Sequence, residues 1–167
     1  PINKTKDFVQ SSARYLWVTT KGKGLYQIDL LNQSKRHYTS QNNKKGGLTS
    51  NNLYAIYLNK QSQLWISAPN AINYAQVENN RFYQIGGNRA YTARLNSYAN
   101  YEIVDDNDGN LWIATHDSSI SVLPLGKSNS ENNAQQLHSK RVGEHPFVTA
   151  LVRGDNNDIW AGFPDAL

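Results

Sequence analysis

The chain has 167 residues, a net charge of +4, 38% hydrophobic and 18% charged residues, and no cysteine. That length allows one domain with a real core, and the missing cysteines exclude a disulfide framework, a thiolate metal site and a thiol nucleophile. Ten Tyr and four Trp supply large buriable surfaces and argue against disorder, which is poor in aromatics.

The four tryptophans set the organisation. They lie in Leu16-Trp17-Val18-Thr19-Thr20, Leu64-Trp65-Ile66-Ser67-Ala68, Leu111-Trp112-Ile113-Ala114-Thr115 and Ile159-Trp160-Ala161-Gly162-Phe163, at spacings of 48, 47 and 48 residues. A fixed period in this range marks a repeat architecture. In chain order, each repeat reads as short strands. The first predicts strands over 8–10, 16–20, 25–30 and 36–39, and the second over 53–58, 64–68, 71–75 and 81–85. The third predicts 101–104, 111–115, 120–123 and 137–142, its last strand delayed by a polar insertion at 126–136. The fourth contributes 147–152 and the Trp strand 159–163. β-Branched, aromatic and aliphatic runs of this length favour strands.

A polar turn precedes every Trp strand, at 11–14, 60–63, 107–110 and 155–158. Asn and Asp-Gly turns tolerate the positive φ that a hairpin requires. No helical period is sustained. Four-stranded antiparallel units of this size, stacked around an axis, describe an all-β propeller segment of about three and a half blades. The blades fall approximately at 7–40, 53–85, 99–142 and 147–167. Within Leu111-Trp112-Ile113, alternation points Leu and Ile to one side of the blade and Trp to the other. A blade has a neighbour on both faces, so both must be apolar.

The segment Asp106-Asn107-Asp108-Gly109-Asn110-Leu111-Trp112-Ile113-Ala114-Thr115 resembles the two-component regulator propeller repeat. The lead-in Gly47-Leu48-Thr49-Ser50-Asn51-Asn52-Leu53-Tyr54-Ala55-Ile56 is similar to the segment between blades in that family. The family's Gly-Thr after Leu-Trp-Ile is replaced here, and only Lys23-Gly24-Leu25 keeps a trace of its Gly-Gly-Leu. The resemblance implies the periplasmic sensor region of a membrane-anchored histidine kinase, hybrid kinase or diguanylate cyclase. It implies a ligand, in several branches of the family an oligosaccharide, and a conformational signal passed to an output domain.

The residues offer little catalytic chemistry. Asp105 to Asn110 superficially resembles a calcium loop, but EF-hand spacing puts Val104 and Thr115 at ligand positions, so it reads as a turn. His37, His116, His138 and His145 lack metal-ligand spacing. No Ser-His-Asp signature, phosphate loop or glycosidase carboxylate pair is evident. The expectation is therefore a non-enzymatic module without metal or cofactor, with a propeller lyase or hydrolase fragment and a protein–protein scaffold as alternatives. Lys and Arg are spread rather than concentrated on one element, so nucleic acid is not the expected partner.

Propeller geometry places any site where the loops between second and third strands meet the linkers between blades. Lys21 to Lys23, Pro69-Asn70, His116-Asp117 and Pro164-Asp165 fall in the first set, and Lys44-Lys45, 89–98 and His145 in the second. Arg89, Tyr91, Arg94 and Tyr98 with His116 are the candidate ligand site. Aromatic rings stack on sugars, and Arg forks bind carboxylate or sulfate. Tyr packing between blades, with Arg capping the rim, is the competing reading.

No apolar run approaches the ~20 residues that span a bilayer, and no signal peptide is recognised. The chain lacks Met and begins at Pro1, so it reads as a piece of a longer protein. Three and a half blades leave open edges, which proteins normally avoid. Further blades of a parent chain, or a homodimer or other homo-oligomer, are the two ways to close them.

Overall fold

The computed structural model describes residues 4–40, 47–69, 71–79, 81–86, 102–114, 119–124, 138–141 and 148–164. The described residues form three four-stranded sheets and one two-stranded sheet, all antiparallel. Blade 1 is β1 (Thr5–Gln10), β2 (Tyr15–Thr20), β3 (Gly24–Asp29) and β4 (Lys35–Tyr38). Blade 2 is β5 (Ile56–Leu58), β6 (Gln63–Ala68), β7 (Ala71–Gln76) and β8 (Phe82–Gly86). Blade 3 is β9 (Glu102–Asp105), β10 (Asn110–Ala114), β11 (Ser119–Pro124) and β12 (His138–Arg141), and blade 4 is β13 (Ala150–Arg153) and β14 (Ile159–Gly162). Each sheet is a simple meander in sequence order. First strands of successive sheets lie against one another, β1 on β5, β5 on β9 and β9 on β13, and so line the common axis. The all-β propeller architecture expected from the Trp period is the observed one.

Register explains the packing. Cross-strand partners share a face, so Val9, Trp17 and Gln27 look toward blade 2, while Phe8, Val18 and Tyr26 look the other way. The same rule holds in every blade. Trp17 is fully buried and clusters with Leu53, Leu64, Ile66 and Phe82 of the next repeat. Trp65 clusters with Ile103, Leu111, Ile113 and Leu123, and Trp112 packs on Val148, Leu151 and Ile159. The Trp of one blade is thus the wedge that meets the Leu-x-Ile strand of the following blade. Burying one such ring removes ~150–250 Å² from water, a transfer term of roughly 4–6 kcal/mol as an upper bound.

The hairpins before each Trp strand are built to one plan. The residue three positions before the Trp has positive φ in three of the four: Ser62 (59°), Gly109 (82°) and Asn157 (68°). The residue six positions before it closes the turn. Trp17 Nε1 donates to Ser11 Oγ at 3.0 Å and Trp112 Nε1 to an Asp106 carboxylate oxygen at 2.8 Å. In the second repeat that position is Asn59, whose side chain serves Gln61 and Gln63 instead, and the buried Trp65 Nε1 has no partner among the described residues. In the fourth it is Gly154, where even a Cβ would come within 3.1 Å of Trp160 Nε1.

The expected strands at 53–58 and 8–10 differ in extent from the apolar pattern, the first shorter and the second longer. The run at 53–58 forms a strand only from Ile56, because its first half is a connector: Leu53 N donates to the Thr20 carbonyl of blade 1, and Tyr54 N to Ser67 of blade 2. Conversely, β1 begins at Thr5, earlier than Phe8, because it pairs along the whole of β2 through an irregularity between Thr5 and Asp7.

Candidate functional site

Among the described residues, the hairpin turns occupy one end of the axis, and the loop between β2 and β3 and the linker from 47 to 55 occupy the other. On that loop face, the described linker from 47 to 55 acts as a strap. Gly22 N and Gly24 N both donate to the Asn51 carbonyl, at 3.0 and 2.8 Å. Asn51 Oδ1 accepts from Ser40 N, Asn73 Oδ1 accepts from Thr49 N, and Gln84 Nε2 donates to the Gly47 carbonyl. Gly24 makes the close approach possible: it has φ +75°, and a Cβ would lie 2.2 Å from the Tyr38 carbonyl oxygen, so no other residue fits without strain. These bonds tie the linker to blades 1 and 2. They leave Lys21 and Lys23 exposed at the rim. His37 bonds the Lys23 carbonyl through Nε2 and stacks on Tyr26 with ring centroids 4.2 Å apart.

The axial wall carries most of the titratable groups that cross between blades. Near the loop face, the Asp7 carboxylate accepts from its own neighbour Phe8 N at 2.8 Å and from Ile56 N of blade 2 at 2.9 Å. Glu102 stands at the same position of blade 3, ten residues before its Trp as Asp7 is before Trp17. Burial raises the Glu102 pKa above the ordinary carboxylate value, and the negative charge of Asp7 adds to the shift. At the opposite end, Asp105 Oδ1 accepts from the Tyr57 hydroxyl at 2.6 Å and from Arg153 NH1 at 2.7 Å. Arg153 NH1 also donates to the Asp105 backbone carbonyl at 2.9 Å. Blades 2, 3 and 4 are therefore joined through one carboxylate. Burial, followed by the hydrogen bond to Asp105, pushes the Tyr57 pKa up to about 12.

The resemblance of 105–110 to a calcium loop disappears in the structure. Asp106 Oδ1 accepts from Asp108 N and Asn110 N, and Oδ2 from Asn110 Nδ2 and Trp112 Nε1, at 2.8–3.0 Å. All of its hydrogen-bonding capacity is spent inside the hairpin. Among the described residues, no group of three or more His, Asp or Glu side chains is placed to hold a metal ion.

The five candidate ligand residues, Arg89, Tyr91, Arg94, Tyr98 and His116, lie outside the described residues, as do Lys44, Lys45 and His145. What the sequence reading missed is the axial set. A signal for it was present: Asp105 and Arg153 sit seven residues before consecutive Trp residues, opposite charges at one repeat position. First strands meet at the axis, so that pattern places the two groups side by side.

Comparison with known proteins agrees with this architecture. Residues 94–117 match the model of the two component regulator propeller, so the family resemblance is borne out at the third repeat. The matched segment contains Arg94, Tyr98 and His116. The extracellular domain of the putative hybrid two component system BT3049 from B. thetaiotaomicron superposes with TM-score 0.76 at 20% identity, covering 96% of this chain and 21% of that one. That of the putative hybrid two component system BT4673 from the same organism gives 0.71 at 18% identity, covering 95% and 20%. The computationally designed Ika4 protein gives 0.65 at 14% identity, covering 98% and 87%. The chain thus spans about a fifth of the length of the two sensor-system domains it resembles. No curated protein matches the sequence. Among the described residues, no helix is long and apolar enough to cross a membrane.

Proposed function

We propose that this chain, which carries a two component regulator propeller repeat, is a ligand-sensing module of a membrane-anchored signalling protein and is itself not an enzyme. It works on the extracytoplasmic, periplasmic side and passes a conformational signal to a kinase or cyclase output domain. The observation that carries this reading is the family match at 94–117, in a chain of which 95–96% superposes on extracellular domains of putative hybrid two component systems. Nothing in the described chemistry competes with it. The axial carboxylates are engaged with neighbouring blades or buried, and the hairpin carboxylate of Asp106 is saturated.

The ligand we assign is an acidic oligosaccharide, held on the loop face by Arg89, Arg94, Tyr91, Tyr98 and His116. Tyr rings offer flat apolar faces to pyranose C–H groups, and Arg forks pair with carboxylate or sulfate. The net charge of +4 favours approach of an anion. Thermal-shift and calorimetric titration against a panel of acidic and neutral oligosaccharides test this. The expected result is a rise in Tm with an acidic member, lost in the Arg89→Ala/Arg94→Ala variant and reduced at high salt. No shift with any sugar, or an undiminished shift in the double variant, overturns the ligand assignment.

A further inference from the structure

Each four-stranded sheet ends at its periphery in a fourth strand, β4, β8 or β12. A neighbouring blade meets the faces of such a strand and not its outer edge, so the edge keeps its place however many blades flank it. Strand edges carry unpaired N–H and C=O groups, and proteins normally guard them with charge or proline. β4 carries Lys35, Arg36 and His37, all exposed, and the sequence of β12 supplies Lys140 and Arg141. β8, Phe-Tyr-Gln-Ile-Gly, holds no Lys, Arg, Asp, Glu or Pro. It is nonetheless the longest of the three, five residues against four and four. Its blade is internal to the stack, with Phe82 packed toward blade 1 and Ile85 toward blade 3. Among the described residues, no strand pairs with its outer edge.

The same edge ends a ladder of rings. Cross-strand pairing puts Trp65, Tyr74 and Tyr83 in one row, and their rings stack with centroids 5.0 and 5.2 Å apart. In blade 1 that row runs Trp17, Gln27, Arg36, and in blade 3 Trp112, Val122, His138. Of these three blades, blade 2 alone carries aromatics out to the edge. Tyr83 is 43% exposed. The guanidinium of Arg81, also exposed, lies 5.5 Å from the centre of the Tyr83 ring. Neither ion pair among the described residues includes Arg81. Ile85 follows on the same face as Tyr83 and is half-buried. Gln84, on the other face, donates to the Gly47 carbonyl at 2.9 Å and helps to hold the strand. An edge fixed in this way binds without first having to be ordered.

We infer that β8 receives an extended peptide strand of a partner protein, which sets an aromatic side chain on Tyr83 and a carboxylate on Arg81. In this mode main-chain hydrogen bonds supply affinity and alternate side chains supply specificity. Every pairing in blade 2 is antiparallel, and the added strand continues that pattern, which is also slightly the more stable one. Direct cross-strand partners share a face. The residues opposite Ile85, Tyr83 and Arg81 therefore follow one another at every second position of the peptide: β-branched, aromatic, acidic. The β-branched residue suits Ile85, the aromatic one extends the stack of rings, and the acid complements Arg81. β8 itself contains no carboxylate, so a second copy of it does not complete Arg81. None of the loop-face residues takes part, and the inference stands whether or not that face binds a sugar.

Fluorescence anisotropy tests it with the labelled peptide Thr-Val-Thr-Tyr-Thr-Glu-Thr, on the 167-residue chain and on Arg81→Glu and Tyr83→Lys variants, each checked for folding by circular dichroism. The expected result is saturable binding, weakened about fivefold by Arg81→Glu and abolished by Tyr83→Lys, which guards the edge with a charge. A peptide with Lys in place of Glu shows the opposite preference and binds Arg81→Glu better than wild type, a swap that mere damage to the fold does not give. Arg36→Glu on β4 leaves binding unchanged. No saturation up to about 1 mM protein overturns the inference. So does equal binding of a peptide of the same composition whose alternation is scrambled, or failure of the charge swap. Sedimentation velocity without peptide addresses the other occupant: dimers that Tyr83→Lys dissociates give the edge to a second copy and overturn the assignment to a partner peptide.

Discussion

Replacing Asp106 by Ala probes the hairpin that aims the third Trp wedge. The carboxylate is nearly buried and accepts four hydrogen bonds, two on each oxygen. The Ala side chain removes every acceptor. The donors at Asp108 N and Asn110 Nδ2 lie in a turn that water reaches, so they rehydrate at little cost. Trp112 Nε1, on a ring packed against Val148 and Leu151 of blade 4, and Asn110 N, at the start of β10, do so poorly. Two charge-assisted bonds at about 1.5 kcal/mol each give an expected loss of about 3 kcal/mol. Urea denaturation followed by Trp fluorescence measures it. The pH dependence supplies an internal check. Burial of Asp106 works to raise its pKa, but the bonds from Trp112, Asn110 and Asp108 together outweigh it, so the pKa is lowered. A lowered folded pKa means stability that is present above the unfolded carboxylate value and lost as pH falls through the folded one. The gap between wild type and Asp106→Ala is therefore widest near neutrality and closes on acidification below the ordinary carboxylate range. A loss under about 0.5 kcal/mol, or a gap that does not change with pH, refutes this account of the hairpin.

The second hairpin offers the reverse experiment. Asn59→Asp supplies the carboxylate that Trp65 Nε1 lacks, with Gln63 in the place of Asn110, and is expected to stabilise the chain by about 1 kcal/mol in the same assay. Arg153→Ala leaves the Asp105 carboxylate, 8% exposed, with Tyr57 as its remaining charge-independent partner. The expected cost is about 2–4 kcal/mol, and the Asp105→Ala/Arg153→Ala double variant costs less than the sum of its parts in a double-mutant cycle. Tyr57 is expected to ionise late in an ultraviolet alkaline titration, near its raised value of about 12, and Tyr57→Phe removes that late step. Its folded pKa is raised, so its contribution is complete below the unfolded tyrosine value, about 10, and is lost as pH climbs from there toward the folded one.

The Trp period made the architecture legible because one residue type marks one structural position in every copy. Trp at the centre of the second strand has to be buried between blades, and alternation along that strand decides which neighbour receives it. The hairpins were equally legible: Asp-Gly in the third copy and Ser, Asn or Gly elsewhere are the residues that such turns tolerate. The failure at 53–58 has a local cause. Leu53-Tyr54-Ala55 is as apolar as a strand, but its backbone groups are claimed by Thr20 and Ser67 of two different blades before it can join the ladder. Propensity describes the residue; it cannot say which partner reaches the backbone first.

The axial residues were hidden for another reason. Within its own repeat, Asp105 is an ordinary residue at the end of a short strand, next to a turn full of Asn and Asp. It becomes distinctive only when the repeats are superimposed and Tyr57, Asp105 and Arg153 fall on the inner strands of three successive blades. Coupling between blades depends on which residues share a repeat position, so it is read down the superimposed copies and not along the chain. The same superposition shows that Asp7 and Glu102 occupy one position in blades 1 and 3, with Ala55 and Ala150 in blades 2 and 4. Ala55, the residue at that position in the blade between them, is small, which is consistent with the contribution of Asp7 to the raised Glu102 pKa. The axis is where polar groups join these blades, while the wedges hold them in register.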